Sequence, residues 1–302
     1  MTTEFVKMSD GKEVAVTYWD NTERPRAAVV IVHGMCEYIA RYDDFCTFLG
    51  HNGYNVIGMD NRGFGMTDKD RRGKGTDGMF ENTVDDIRHE TDIARDRWGV
   101  ERVYVIGHSY GSILTQRFIE KYHAYVSGAI LCGSTLQSGF MLSLGRKIAG
   151  RGAKKDPDGE GKFFAKMTFA SYDKKIKDGV NGWLNRDKAE VEKYNADEQC
   201  AGVGICSNMF YREMLDGCHR INKDRHKVPK GFKLMIASGG ADGVGGYGKL
   251  IDKLVKAYKK SSGVIPRVKI YPGARHELLN ETNKGEVYED FLRFLDDCEG
   301  AE

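Results

Sequence analysis

The stretch "RVYVIGHSYGSILTQRFIEKY", residues 102–122, begins as a strand and ends as a helix. Val103 to Ile106 form an apolar β-branched and aromatic run, and Ser112 onward carries helical spacing. Between them stands Gly107-His108-Ser109-Tyr110-Gly111, a Gly-x-Ser-x-Gly turn. In that setting the pattern reads as a nucleophile elbow, a tight strained turn whose flanking positions must be small. Gly107 and Gly111 meet that demand. The Ser109 hydroxyl is then expected to stand clear at the carboxyl end of a sheet and at a helix N-terminus, where main-chain N–H groups and the dipole favour developing negative charge. The bland alternative is a helix N-cap serine at a Gly-rich turn.

Working outward, short apolar runs alternate with helical patterns. "AAVVIVHG" (27–34), "YNVIGMD" (54–60), "VSGAILCGS" (126–134), "KLMIASGGAD" (233–242) and "RVKIYPGARH" (267–276) read as further strands. Most are nearly continuous apolar runs, as in parallel strands covered on both faces. "GKEVAVTYWD" (11–20) reads as an antiparallel edge strand. Helices are expected near 40–51, 84–98, 109–123, 246–260 and 285–298, which gives an α/β fold with a mostly parallel central sheet flanked by helices. The alternation breaks between residues 136 and 226. That segment shows no parallel strand and is too long for one unstructured loop in a compact domain, so it reads as a helical cap insertion. The expected organisation is core 1–135, insertion 136–226 and core 227–302. Residues 151–161, "RGAKKDPDGEG", read as its most flexible piece.

A serine hydroxyl needs a base, and the base needs an orienting carboxylate. Behind an elbow of this kind the chain order is Ser, acid, His. Of eight histidines, only His276 follows the last plausible acid, and it lies just past a strand. Asp242 ends the strand before it, whereas the preceding strand ends in "LCGST" without an acid. The remaining need is a pair of main-chain N–H groups for the oxyanion. Tyr110, after the nucleophile, supplies one, and Met35 in "VVIVHGMCEY" supplies the other, with Gly34 allowing close approach.

Other classes fit less well. Lys and Arg number 46 against 44 Asp and Glu, so the net charge of +2 gives no reason to expect nucleic-acid binding. Seven cysteines in no C-x-x-C pattern read as buried thiols in a reducing cytosol rather than a disulfide framework or metal site. No apolar h-region opens the chain and no run is long enough to span a bilayer, so a soluble cytoplasmic protein is expected. "GVGGYGKL" (243–250) spells the letters of a dinucleotide fingerprint, but the next strand ends without an acid for the ribose, and Leu250 stands where a P-loop needs Ser or Thr. No metal or organic cofactor is expected. Residues 146–178 hold ten Lys/Arg against five Asp/Glu, which suits a solvated face or weak peripheral contact with an anionic lipid surface.

With these residues placed, the sequence resembles the α/β-hydrolase superfamily, and within it the monoacylglycerol lipase and lysophospholipase group, also described as serine aminopeptidase-like. Four stretches carry the likeness: "VHGMCEYIARYDDF", "VIGMDNRGFGMTD", "IGHSYGS" and "YPGARHELLNE". The resemblance implies a Ser109/Asp242/His276 triad, oxyanion donors at Met35 and Tyr110, and a cap over the site. Arg62, Gly63 and Gly65 match a strand-end turn of structural role. Glu37 and Arg41 match as well, without a role that the sequence assigns. Relatives often carry Pro after the acid, where this chain has Gly243.

The function expected is hydrolysis of a carboxylic ester through an acyl-enzyme, with a lipid-like ester of one acyl chain as substrate. Phe140, Met141, Leu142, Leu144 and Ile148, then Phe163, Phe164, Met167 and Phe169, would roof the serine for such a chain or merely pack the insertion onto the core. The alternatives are a short-chain carboxylesterase, a thioesterase, an aminopeptidase holding a free amine on Glu190, Glu192, Asp197 or Glu198, and a binding protein that kept the fold without turnover. The oligomeric state stays open.

Overall fold

The structure, a computed structural model, describes residues 1–300. Eight strands form one sheet: β1 (Thr2–Lys7), β2 (Glu13–Trp19), β3 (Ala27–Val32), β4 (Tyr54–Met59), β5 (Val103–His108), β6 (Gly128–Cys132), β7 (Leu234–Gly239) and β8 (Arg267–Tyr271). Their spatial order is β1-β2-β4-β3-β5-β6-β7-β8. From β4 to β8 every neighbouring pair is parallel, while β2 pairs antiparallel with both β1 and β4. The expected edge strand is therefore antiparallel but not at the edge. β1 covers it, and the Thr/Glu-rich sequence of β1 gives no apolar run by which to find it. β8 closes the other edge with Arg267, Val268 and Ile270 exposed, so two-sided burial belongs to the inner strands.

Because successive strand residues point to opposite faces, the inner strands divide the core in two. Ala28, Val30 and Val32 of β3 join one apolar cluster with α2 (Met79–Trp98) and α3 (Tyr110–Tyr122). Ala27, Val29 and Ile31 join the other, under α1 (Asp43–His51) and α10 (Lys284–Glu299). Each buried Val, Ile or Phe here contributes roughly 1.5–3 kcal/mol relative to exposure. These clusters fix the sheet's carboxyl edge as a rigid platform.

Between β6 and β7 the chain forms α4 (Gly139–Lys155), α5 (Lys162–Met167), α6 (Phe169–Ile176), α7 (Lys188–Ala196) and α8 (Asn208–Asp224). Helix α8 starts at a true cap: Ser207 Oγ accepts the Phe210 N–H at 3.2 Å. Its apolar face reaches α3 and α4, and Phe210 and Tyr211 are fully buried. The segment 151–161 is tied down rather than free. The Gly161 N–H bonds to the Cys206 carbonyl at 2.9 Å, the Asn208 N–H to the Gly159 carbonyl at 2.8 Å, and Lys74 Nζ to the Asp158 carbonyl at 2.7 Å. Those tethers come from distant parts of the chain, which local composition does not report. After β7, α9 (Lys249–Ser261) returns over the sheet.

Candidate active site

Ser109 joins β5 to α3 with φ 53° and ψ −117°, a left-handed conformation for a residue with a side chain. Such strain costs of order 1–3 kcal/mol and persists only where the surroundings enforce it. They do so here by contact. A Cβ at Gly107 would overlap Thr115 Oγ1 and the Gly111 carbonyl, and one at Gly111 would overlap the carbonyls of Val32 and His33. The two glycines therefore let β5, α3 and β3 crowd together under the serine. The elbow leaves Ser109 partly exposed while Tyr110 is buried.

The turn after β8 delivers His276, and the turn after β7 delivers Asp242. His276 Nε2 lies 2.8 Å from Ser109 Oγ, and His276 Nδ1 lies 3.1 Å from Asp242 Oδ2. With the ring proton on Nδ1, the imidazole donates to the carboxylate and accepts the serine O–H. Asp242 is fully buried, and its other oxygen accepts the Val244 N–H at 2.8 Å. The Tyr247 N–H bonds to the Asp242 carbonyl at 2.8 Å. Gly243 stands directly under Tyr172 of α6, where any Cβ would press on the ring. The small residue after the acid thus answers to packing from the insertion.

Burial disfavours the charged form of His276, but Asp242, by charge and by hydrogen bond, and then Glu277 and Glu37 outweigh it, so its pKa is raised. His108, whose ring centroid lies 4.7 Å from that of His276, goes the other way: burial and the neighbouring imidazole push it down to about 3, so it stays neutral. Trp183 covers His276 at 5.1 Å and is itself stacked on Phe169 at 5.3 Å. These aromatic rings shield the imidazole from water.

Met35 follows β3 in a loop held at both ends. His33 Nδ1 donates to the Gly34 carbonyl at 2.7 Å, and His33 Nε2 accepts the Asn61 N–H at 2.7 Å. Among the described residues, the main-chain N–H groups of Met35 and Tyr110 have no hydrogen-bond acceptor. A Cβ built on Gly34 would lie 3.1 Å from Ser109 Cβ, so this loop abuts the serine. Two unengaged main-chain donors flanking a serine suit a developing oxyanion.

Ser109 stands between two cavities. One, about 290 Å³, is bounded by Met35 and Tyr110 and roofed by α4, α5 and α8 through Ile148, Phe163, Phe164 and Leu215. Of the two apolar clusters read in the sequence, Met141, Leu142, Leu144, Ile148, Phe163, Phe164, Met167 and Phe169 all line it; Phe140 does not. The other, about 40 Å³, is more polar and lies toward Asn181, Glu277 and His276. None of Glu190, Glu192, Asp197 and Glu198 borders either space. Glu190 pairs with Lys193 at 2.6 Å, and Asp197 accepts the Tyr38 hydroxyl at 2.9 Å. Sequence reasoning missed His108, Trp183 and Glu277. Adjacency in the chain, of His108 to Ser109 and of Glu277 to His276, could have pointed to two of them; Trp183 carried no such signal.

The family described as Hydrolase_4, serine aminopeptidase S33, matches residues 23–283. The chain is 24% identical to monoglyceride lipase of Homo sapiens over 277 residues, covering 90% of this chain and 82% of that protein. It is 25% identical to phospholipase YtpA of Bacillus subtilis over 284 residues, covering 91% and 96%. Among solved structures, a thermostable carboxyl esterase from Bacillus coagulans in complex with glycerol superposes with a TM-score of 0.88 at 22% identity over 98% of both chains. A soluble variant of monoglyceride lipase from Saccharomyces cerevisiae, in complex with a substrate analog, superposes at 0.75 with 20% identity, covering 99% and 96%. The fold is that of the α/β-hydrolases, as the resemblance implied.

Proposed function

This chain belongs to the serine aminopeptidase S33 family, and from that premise we propose that it is a serine ester hydrolase acting on lipid esters with one acyl chain, such as a monoacylglycerol or lysophospholipid. The observation that carries the reading is the Ser109–His276–Asp242 hydrogen-bond relay opening directly onto the apolar 290 Å³ cavity. Ser109 attacks the ester carbonyl while His276 takes its proton. The N–H groups of Met35 and Tyr110 stabilise the oxyanion. His276 returns the proton to the leaving alcohol, which departs through the polar cavity, and water then repeats the attack on the acyl-enzyme. Asp242 keeps the imidazole in its reactive tautomer and stabilises its charged form. The chemistry closes without a metal or organic cofactor.

The insertion 136–226 serves as the cap. Its cavity is at the small end of the roughly 300–1,000 Å³ of drug-sized ligand sites, which suits one acyl chain better than a triglyceride. An aminopeptidase would need an anion beside the serine for the free amine. The cap acids are elsewhere, and the nearby Glu37 and Glu277 are both engaged by Arg41. Phe140, Met141, Phe163 and Met167 are exposed on the helices that carry Lys147, Lys154, Lys162 and Lys166. That rim fits weak contact with an anionic lipid surface, from which such substrates partition. No helix among the described residues is long and apolar enough to cross a membrane.

The deciding experiment pairs fluorophosphonate labelling with a turnover screen of monoacylglycerols, lysophospholipids, acyl-CoA, aminoacyl-anilides and p-nitrophenyl esters of graded length. Labelling should be lost in Ser109→Ala, and efficiency should climb from acetyl to at least octanoyl. An unlabelled wild-type chain would favour a binding protein, and a best rate on acetyl or butyryl esters a short-chain esterase.

A further inference from the structure

Glu37 and Arg41 play no part in the steps above, yet they sit at the centre of a buried ionic group. Glu37 Oε1 accepts the Gly34 N–H at 2.5 Å and the Tyr42 hydroxyl at 2.8 Å, and Glu37 Oε2 accepts Arg41 Nη1 at 2.8 Å. The same guanidinium reaches the other way and grips Glu277 with both nitrogens, Nη1 to Oε1 at 2.7 Å and Nη2 to Oε2 at 3.0 Å. Glu277 directly follows His276, and its N–H donates to the Leu184 carbonyl at 2.8 Å. From the insertion, the Tyr194 ring closes over Arg41 at 5.1 Å. The side chains of Glu37, Arg41 and Glu277 are 10% exposed or less, so solvent does not screen them.

The loop so held needs holding. Cys36 has φ 57°, an uncommon conformation for a residue with a side chain, and it immediately follows Met35. Among the described residues, the Glu37 carboxylate is the acceptor that fixes the Gly34 N–H from inside the loop. We propose that Arg41 is a positioning residue: through Glu37 it sets the loop that presents the Met35 N–H to the oxyanion, and through Glu277 it holds the His276 turn against the same serine. One side chain thereby couples the oxyanion donor to the base. The fork geometry is required, because two carboxylates must be held at fixed angles by one cation. This inference rests on the hydrolase reading above.

The charges give it a signature. His276 is faced by Asp242 from the β7 turn, Ser109 and the neutral His108 from β5, Glu277 beside it, Glu37 from the β3 loop, Tyr194 from the insertion and the uncharged Trp183 ring, and Arg41 stands behind the two glutamates, paired with both. Glu37 and Glu277 both raise the affinity of His276 for its proton. Arg41 opposes them. Glu277→Gln should therefore move the acid limb of kcat/KM to lower pH, while Arg41→Met should move it to higher pH. A purely structural defect would not produce opposite signs.

The test uses the full chain with p-nitrophenyl acetate, comparing wild type, Arg41→Met, Arg41→Lys and Glu277→Gln, each checked by circular dichroism and thermal melting. Arg41→Met should lose about 100-fold in kcat with KM nearly unchanged, the scale of one misplaced oxyanion donor. Arg41→Lys, which restores the charge without the fork, should recover part of that loss. A folded Arg41→Met with wild-type kcat and an unmoved acid limb overturns the proposal. If Arg41→Met does not fold, Glu277→Gln decides alone, and an unshifted limb in that variant is equally fatal. A wild-type chain that neither labels with fluorophosphonate nor turns over ester overturns the hydrolase reading itself, which is a separate outcome.

Discussion

Gly145→Leu separates acyl binding from chemistry. Gly145 lies inside α4 and lines the apolar cavity. A Cβ built there would meet Leu215 Cδ1 at 3.4 Å and Phe164 Cε1 at 3.8 Å, ordinary contacts, so the branched end of a leucine must extend into the cavity. The helix itself should gain, since glycine in a helix interior is less favourable than leucine by somewhat under 1 kcal/mol. A folding defect is therefore not expected. What is lost is room for the chain. Each buried CH₂ contributes about 0.8 kcal/mol, so excluding four methylenes removes about 3 kcal/mol, roughly 100-fold in kcat/KM. Acetyl esters do not use that space and should keep their rate. The assay is kcat/KM for p-nitrophenyl acetate, butyrate and octanoate below their aggregation limits, in wild type and variant. The octanoate-to-acetate ratio should fall by up to about 100-fold. An unchanged ratio would mean that the acyl chain lies elsewhere, and an equal loss on every ester would mean that the substitution disturbs the catalytic groups.

Three further outcomes follow from the site and the core. Asp242→Asn and His276→Ala should each lower kcat by about 10⁴-fold or more, yet add little when combined with Ser109→Ala, because the three act as one unit; a silent Asp242→Asn would move the acid elsewhere. His276 works as a base only when neutral, and its pKa is raised, so kcat/KM should fall as pH drops through a value above the ordinary 6.5; a profile flat to pH 5 in folded protein would exclude a histidine base. Glu90 is fully buried in α2 with neither oxygen hydrogen-bonded among the described residues, and burial, then Asp86, raises its pKa well above 4.5. The folded chain thus holds a proton that the unfolded chain releases, so Glu90 costs stability as pH rises above about 4.5, by up to roughly 1.4 kcal/mol per pH unit. Glu90→Gln should be more stable relative to wild type at pH 8 than at pH 4.5, as read by urea unfolding at both; a difference independent of pH would show that Glu90 is ionised in the fold.

Much of this protein was legible in the chain itself. Apolar β-branched runs such as Ala27–Val32 and Val103–Ile106 are local signals, because a strand buried on both faces admits almost nothing else. The elbow was legible for a related reason: Gly107 and Gly111 are set by the steric demands of a five-residue turn. Asp242 and His276 could be named because strand ends place residues at one edge of a parallel sheet, whatever the distance in sequence. The tertiary structure alone decided the rest. β1 hides because an edge strand facing solvent needs no apolar pattern. The apolar residues of 140–169 could have packed the core or roofed the serine, and only the approach of α4, α5 and α8 distinguishes the two. Glu37, Arg41 and Glu277 lie up to 240 residues apart. Their meeting depends on how the loops after β3 and β8 dock beneath Tyr194. Ion pairing is set by distance and burial in space, and neither is written in the spacing of charges along a chain.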